Sequence, residues 1–245
     1  MVLNKVVIGV LFNKKSFKLA SLGGIVIDDV LGLRESNKKL SNDFLTKFSS
    51  SNDASNLHVK FLDEKGINTL SIQSEQFVFT KATSNEGGAV SLDKAIEEFE
   101  ILWKEANKTL NFPDIRRIGI VGEFNIKANS DTSASNQLIS SLLKWSSPNH
   151  SGHFSLEFED RELHSDGSVP DKKNADYWNS IYSFYPSDED RDLPQKGKIN
   201  ANLDLQKYYN PAKSDPIREL QIVKNKFTSK KSDFKAKVKE LGLSD

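Results

Sequence analysis

The chain predicts an α+β fold: an antiparallel sheet with helices on one face, made from two βαβββα halves that share a core, residues 1–112 and 113–245. Three observations predict it. The order strand, helix, three strands, helix runs once from Val6 to Leu110 and again from Ile115 to Leu241. Most strand candidates alternate apolar and polar residues, as in a sheet with one packed and one wet face. Each helix candidate carries an apolar stripe and so has one face to bury. The repeat lies in element order, not in residue identity; the alternative is a coincidental α+β order.

In VVIGVLF (6–12) both residue parities are apolar, which predicts a central strand buried on both faces. From Ser16 the period becomes helical, with Phe17, Ala20, Gly24, Ile27 and Leu31 on one stripe. Gly23-Gly24 weakens that helix by about 1 kcal/mol per glycine or lets it approach a strand closely. Residues 34–56 are polar, with a short amphipathic helix expected near 39–48 and a loop at 49–56. A meander follows: Leu57, Val59 and Phe61; a turn at Asp63-Glu64-Lys65-Gly66; Ile67, Leu70 and Ile72; a turn near Ser74-Glu75; then Phe77 and Phe79. Gly87-Gly88 ends this set. Ser91 caps a helix striped by Ile96, Phe99, Trp103, Ala106 and Leu110, with Asp93, Glu97, Glu98, Glu100 and Lys104 off the stripe. Asn111 and Pro113 stop it.

In the second half, Ile118, Ile120, Gly122, Phe124 and Ile126 share one parity; Arg117, Gly119, Val121, Glu123 and Asn125 share the other. A helix capped near Thr132 or Ser133 places Leu138, Leu142 and Trp145 on one side. Strands are expected at Phe154–Glu159, Tyr177–Tyr185 and Ile199–Gln206, separated by polar loops at 165–174 and 186–197. Ser214-Asp215-Pro216 opens the last helix. Ile217, Leu220, Phe227, Phe234, Val238 and Leu241 stripe it, with an interruption expected at Thr228–Ser232.

Composition excludes more than it assigns. Twenty-three aromatics among 245 residues support a folded core. Thirty-four basic residues balance thirty-four acidic ones, which lacks the basic excess usual in nucleic-acid binders. With no cysteine, disulfides, thiolate nucleophiles and Cys-ligated metals are excluded. The apolar run at 6–12 is short and lacks a small-residue cleavage site, so a strand is expected rather than a signal peptide. No segment reaches the ~20 apolar residues of a membrane helix. A soluble, cytoplasmic protein without cofactor is expected.

No nucleophile elbow, P-loop or G-x-G-x-x-G occurs, and the chain reads as a binder rather than an enzyme. His150 and His153, with Glu157 or Asp160, are the nearest approach to a metal set. They lack the helical spacing that aligns two rings on one ion, and no metal site is assigned. Asp188-Glu189-Asp190 and Asp192 lack the alternation and glycine of a calcium loop. Glu157 and Glu159 lie on one strand face, a pairing common on wet strands. The binding candidates are Tyr177, Trp178, Tyr182 and Tyr185 in YWNSIYSFYP, a candidate stacking surface, and Lys230, Lys231 and Lys235 in the lysine-rich last helix. Tyr177, Asn179, Ile181, Ser183 and Tyr185 share one face; Trp178, Ser180, Tyr182, Phe184 and Pro186 share the other, with one face expected to pack on helices.

Three segments carry a resemblance: VVIGVLFN; the span from LSIQSEQFVFT to RRIGIVGEFNI; and ANLDLQKYYNP. Together they resemble a sporadically distributed, uncharacterised bacterial family of about this length. Arg117, Gly119 and Asn125 match its middle strand motif, whereas Glu123 and Phe124 stand where Arg and Tyr are usual. Gln206 departs from the final acid of its late strand motif. The resemblance implies no activity. Scattered occurrence implies accessory roles, such as toxin–antitoxin or defence partnership. From the abundant aromatics, the balanced charge and the lack of a convergent catalytic constellation, the expectations are a protein partner or homodimer first, a nucleic acid through the lysine-rich last helix and the aromatic strand second, and a metal-assisted hydrolase around His150, His153 and Glu157 last.

Overall fold

Two adjacent antiparallel strands near the middle of a nine-stranded sheet set the architecture. A computed structural model describes residues 1–40, 44–83, 88–127, 133–144, 153–171, 175–186 and 198–243. The first half supplies β1 (Val2–Phe12), α1 (Lys18–Ser36), β2 (Lys47–Ser51), β3 (His58–Leu62), β4 (Thr69–Gln73), β5 (Gln76–Ala82) and α2 (Leu92–Leu110). The second supplies β6 (Ile115–Lys127), α3 (Ala134–Leu143), β7 (Leu156–Arg161), β8 (Tyr177–Pro186), β9 (Lys198–Lys213) and α4 (Pro216–Glu240). Among the described residues the nine strands form one antiparallel sheet in the order β2-β3-β4-β5-β1-β6-β9-β8-β7. The fold is α+β, with the helices on one face.

Strand parity decides which side chains meet the helices. Ile8 of β1 pairs with Phe79 of β5 and Ile120 of β6; Ile120 pairs in turn with Leu205 of β9. All four are buried and belong to one core. α2 packs its stripe there: Phe99 and Trp103 meet Phe77 edge-on at 5.4 and 5.1 Å between ring centroids. α4 does the same over β6 and β9. Its Phe234 contacts Phe124, Tyr182 and Phe184. Gly122 gives Phe227 its place, since a Cβ there would stand 2.7 Å from the ring. Ala134 and Leu138 bring α3 into the same core.

The caps follow the sequence. Ser91 Oγ accepts from the Lys94 amide, Ser133 Oγ from Asn136 and Asp215 Oδ1 from Arg218, each satisfying an otherwise unpaired first-turn N–H. Asn111 closes α2 in the left-handed region, at φ 44°.

Several expectations are corrected. β1 is central but buried on one face only: Val7, Gly9 and Leu11 are half-exposed because no helix covers them. α1 buries Leu19, Val26, Val30 and Leu33 rather than the stripe through Phe17, Ala20 and Gly24, and it continues to Ser36 without breaking at Gly23-Gly24. Gly23 approaches β3, where a Cβ would lie 3.9 Å from Val59. The stretch after it holds the edge strand β2 instead of a short helix; Leu45, at φ 64°, turns the chain into it. Glu98 is not on the wet side of α2. It is 1% exposed and paired with Lys81 of β5 at 3.0 Å. α4 runs unbroken through Thr228–Ser232, where Thr228 and Ser232 hydroxyls donate back to carbonyls one turn earlier. Trp145, Thr132 and Gly87 lie outside the described residues.

Candidate binding face

Among the described residues the sheet's second face carries no helix, and the strand registers turn it into a grid. One row runs Glu157 (β7), Ser183 (β8), Asn202 (β9), Glu123 (β6) and Lys5 (β1). The next runs Glu159, Ile181, Asp204, Val121, Val7 and Thr80. A third runs Arg161, Asn179, Gln206, Gly119, Gly9, Val78, Ser71 and Lys60. The two central glycines, Gly119 and Gly9, sit side by side, so the middle of the face is bare backbone. Half-exposed Val7, Leu11, Val78 and Val121 surround it, and Ile181 lies beyond Asp204 on β8.

Polar groups of the second half are tied into fixed positions. Arg117 Nη1 donates to Tyr208 Oη at 3.2 Å, Tyr208 Oη donates to Gln206 Oε1 at 2.9 Å, and Gln206 Nε2 donates to Asp204 Oδ2 at 2.6 Å. The Tyr208 ring stacks on Tyr177 with 4.6 Å between centroids. The Arg161 guanidinium lies 5.4 Å from the Tyr177 ring and also bonds Glu159 and the Pro170 carbonyl. Cation–π and stacking contacts thus run from β7 to β6. A second network starts at Tyr185, whose hydroxyl donates to Glu123 Oε2 at 3.0 Å and accepts from Asn202 Nδ2. Asn4 Nδ2 donates to Asn125 Oδ1 at 3.0 Å.

Burial is the largest influence on Asp204 and raises its pKa above the usual aspartate value. The Gln206 hydrogen bond and the Arg117 charge pull the other way, and Glu157 adds to the rise. Burial likewise raises the Tyr185 and Tyr177 hydroxyls.

The sequence-derived candidates do not converge. Tyr177 and Tyr185 share the helix-free face, but eight residues of strand hold them ~26 Å apart. Tyr177 is 4% exposed, its ring enclosed by Tyr208 and Arg161, so it offers no stacking surface. Trp178 and Tyr182 point to the helix side. Lys207 and Lys226 lie over Trp178, and Tyr182 packs against Phe158 and Phe234. Lys230 faces Asp160 and Glu162, both also on the β7 edge. Lys231 and Lys235 make no ion pair among the described residues. His153 is exposed, Glu157 lies on the helix-free face, and His150 and the acidic run at 188–192 fall outside the described residues. No cluster of three or more His, Asp or Glu suited to a metal occurs among the described residues.

The residues that do converge are Arg117, Gly119, Val121 and Glu123 with Asp204, Gln206 and Tyr208. Their shared parity was a legible signal; their adjacency was not, because it depends on β9 inserting between β6 and β8. A cleft of about 440 Å³ opens separately at the start of α2. Its Asp63 carboxylate is already engaged by the Ile67 and Asn68 amides and the Asn68 side chain.

Among the described residues no helix is long and apolar enough to cross a membrane. No protein-family model matches the chain, and no curated protein matches it. Among solved structures, the chain is similar to a rolling circle replication initiator protein from Geobacillus stearothermophilus, over 84% of this chain and 73% of that one, at 10% identity and a TM-score of 0.29. So distant a likeness carries no functional argument.

Proposed function

We propose that the protein is a non-catalytic binder that receives a protein partner on the helix-free face of its sheet. The observation that carries the reading is the half-exposed apolar group around Gly9 and Gly119, framed by side chains already fixed in hydrogen-bonded networks. A contiguous apolar area rimmed by polar groups is the usual anatomy of an interaction surface. Fixed polar groups lose little freedom on association, which favours affinity. A role beside a defence or toxin–antitoxin system rests on the family resemblance alone.

The test compares capture from native cells by three forms of the chain. Wild type and an α4 variant, Lys231→Glu with Lys235→Glu, are expected to retain the same stoichiometric partner. Val7→Glu with Val121→Glu is expected to lose it while still folding, at a melting temperature lowered by the two directly opposed carboxylates. Equal capture by all three forms, or a partner lost only with the α4 variant, rejects the proposal. The last outcome would favour nucleic acid or an acidic protein on α4, where Lys224, Lys226 and Lys237 are already paired with carboxylates.

A further inference from the structure

Two side-chain oxygens on the second half of the helix-free face have no donor among the described residues. Asp204 makes no ion pair among the described residues; its Oδ2 takes one hydrogen bond, from Gln206. Beside its Oδ1 the β6 strand carries Gly119, where a Cβ would stand 3.8 Å away, so that oxygen borders bare backbone. Asn179, 4% exposed and diagonal to Asp204 on the neighbouring strand, has an Oδ1 with no donor. The Oδ1 of Asn202, two residues before Asp204 on the same face, also has none. Glu157 lies on the same face of β7, in the row through Ser183 and Asn202, and makes no ion pair among the described residues. The Arg117 charge reaches Asp204, but its hydrogen bond goes to Tyr208, and Arg161 is engaged by Glu159, Pro170 and Tyr177. A buried amide oxygen without a donor is costly, and a half-buried carboxylate holding one hydrogen bond and one nearby guanidinium charge still gains from a further cation. Val121 and Ile181 flank Asp204 in register and offer apolar contact for an aliphatic stem.

We infer that Asp204, with Asn179, Asn202 and Glu157 around it, receives a lysine or arginine side chain of the bound polypeptide. This rests on the proposed binding face and names the chemistry recognised there. The ammonium or guanidinium supplies the missing donors and charge, while its methylene stem lies along Val121 and Ile181. The occupant is a basic, extended segment of a partner protein.

The test measures fluorescence anisotropy of labelled deca-lysine and deca-arginine on the full chain, with deca-glutamate and spermine as comparisons. Variants are Asp204→Asn and, on the helix side, Glu97→Gln. At least one basic peptide is expected to bind more weakly as salt rises, and Asp204→Asn is expected to weaken it about tenfold or more. Glu97→Gln is expected to change nothing, and spermine to compete poorly because it lacks a backbone. Three results overturn the inference: no binding of either basic peptide, equal loss in both variants, or spermine competing as well as the peptides. The wider reading fails separately. A native partner that Asp204→Asn still captures but Val7→Glu with Val121→Glu does not would leave the binding face standing and remove the cation site.

Discussion

Two glycines on neighbouring strands separate packing from recognition. Gly122 faces the helices, where a Cβ would collide with Phe227 at 2.7 Å and meet Leu3 and Phe124 at 3.1 Å. Gly122→Ala is therefore expected to destabilise by about 1–3 kcal/mol in urea unfolding. Gly9 faces the helix-free side, where an added methyl would stand 4.0 Å from Val78; Gly9→Ala is expected to fold unchanged or slightly more stably. Glu98 makes a third case. Glu98→Ala leaves Lys81 charged beneath α2 with no partner, at a cost of about 3–5 kcal/mol. Asp204 gives stability a pH dependence. Its folded pKa is raised, chiefly by burial, so folding favours the protonated form. Its contribution is fully present below the ordinary carboxylate value and is lost as pH rises through the raised one. Asp204→Asn is expected to gain on wild type as pH rises through that window, as read by unfolding at a series of pH values. A difference that stays constant with pH contradicts this assignment.

At the level of elements, legibility followed how differently a segment's faces are made. α2 and β6 alternate cleanly, and their buried sets were readable. Glu98 escaped because charge alone marked it as wet, whereas Lys81 supplies its partner from β5, the strand just before the helix. α1 is apolar around much of its circumference, with Leu19, Leu22, Ile25, Val26, Ile27, Val30, Leu31 and Leu33. Two stripes fit it, and only the positions of α2 and β3 against it decide between them. β2, KFSSS, has neither alternation nor burial, because an edge strand packs little; tertiary pairing with β3 makes it. α4 shows packing prevailing over weak local propensity: Phe227 and Phe234 are buried on both sides of the Thr-Ser stretch expected to break it. Phe234→Ala is accordingly expected to cost about 3–5 kcal/mol in denaturant unfolding, with the last two turns of α4 losing amide protection first. A loss below about 1 kcal/mol would mean that the end of α4 is not docked.

For the whole molecule, strand order does what sequence pattern cannot. β1 and β6 lie next to each other, each flanked by a late strand of its own half, β5 and β9. The grouping of Asp204 with Arg117 and Gly119 comes from that order alone. We propose that the halves at 1–112 and 113–245 are duplicates: the register places Ile8, Phe79 and Leu70 in β1, β5 and β4 as it places Ile120, Leu205 and Ser180 in β6, β9 and β8. Each half alone leaves the pairing edge of a central strand open. The halves expressed separately are therefore expected to stay unfolded and to regain sheet signal on mixing, by circular dichroism; independent folding of either would contradict a shared core. The central claim is that partners meet the side of the sheet opposite the helices. The most direct measurement places a photo-crosslinking amino acid at Val7, on that side, or at Lys231 on α4, irradiates native cells and identifies the adducts. The account predicts one stoichiometric protein adduct from Val7 and none from Lys231. Adducts from Lys231 alone, or from neither position, would contradict it.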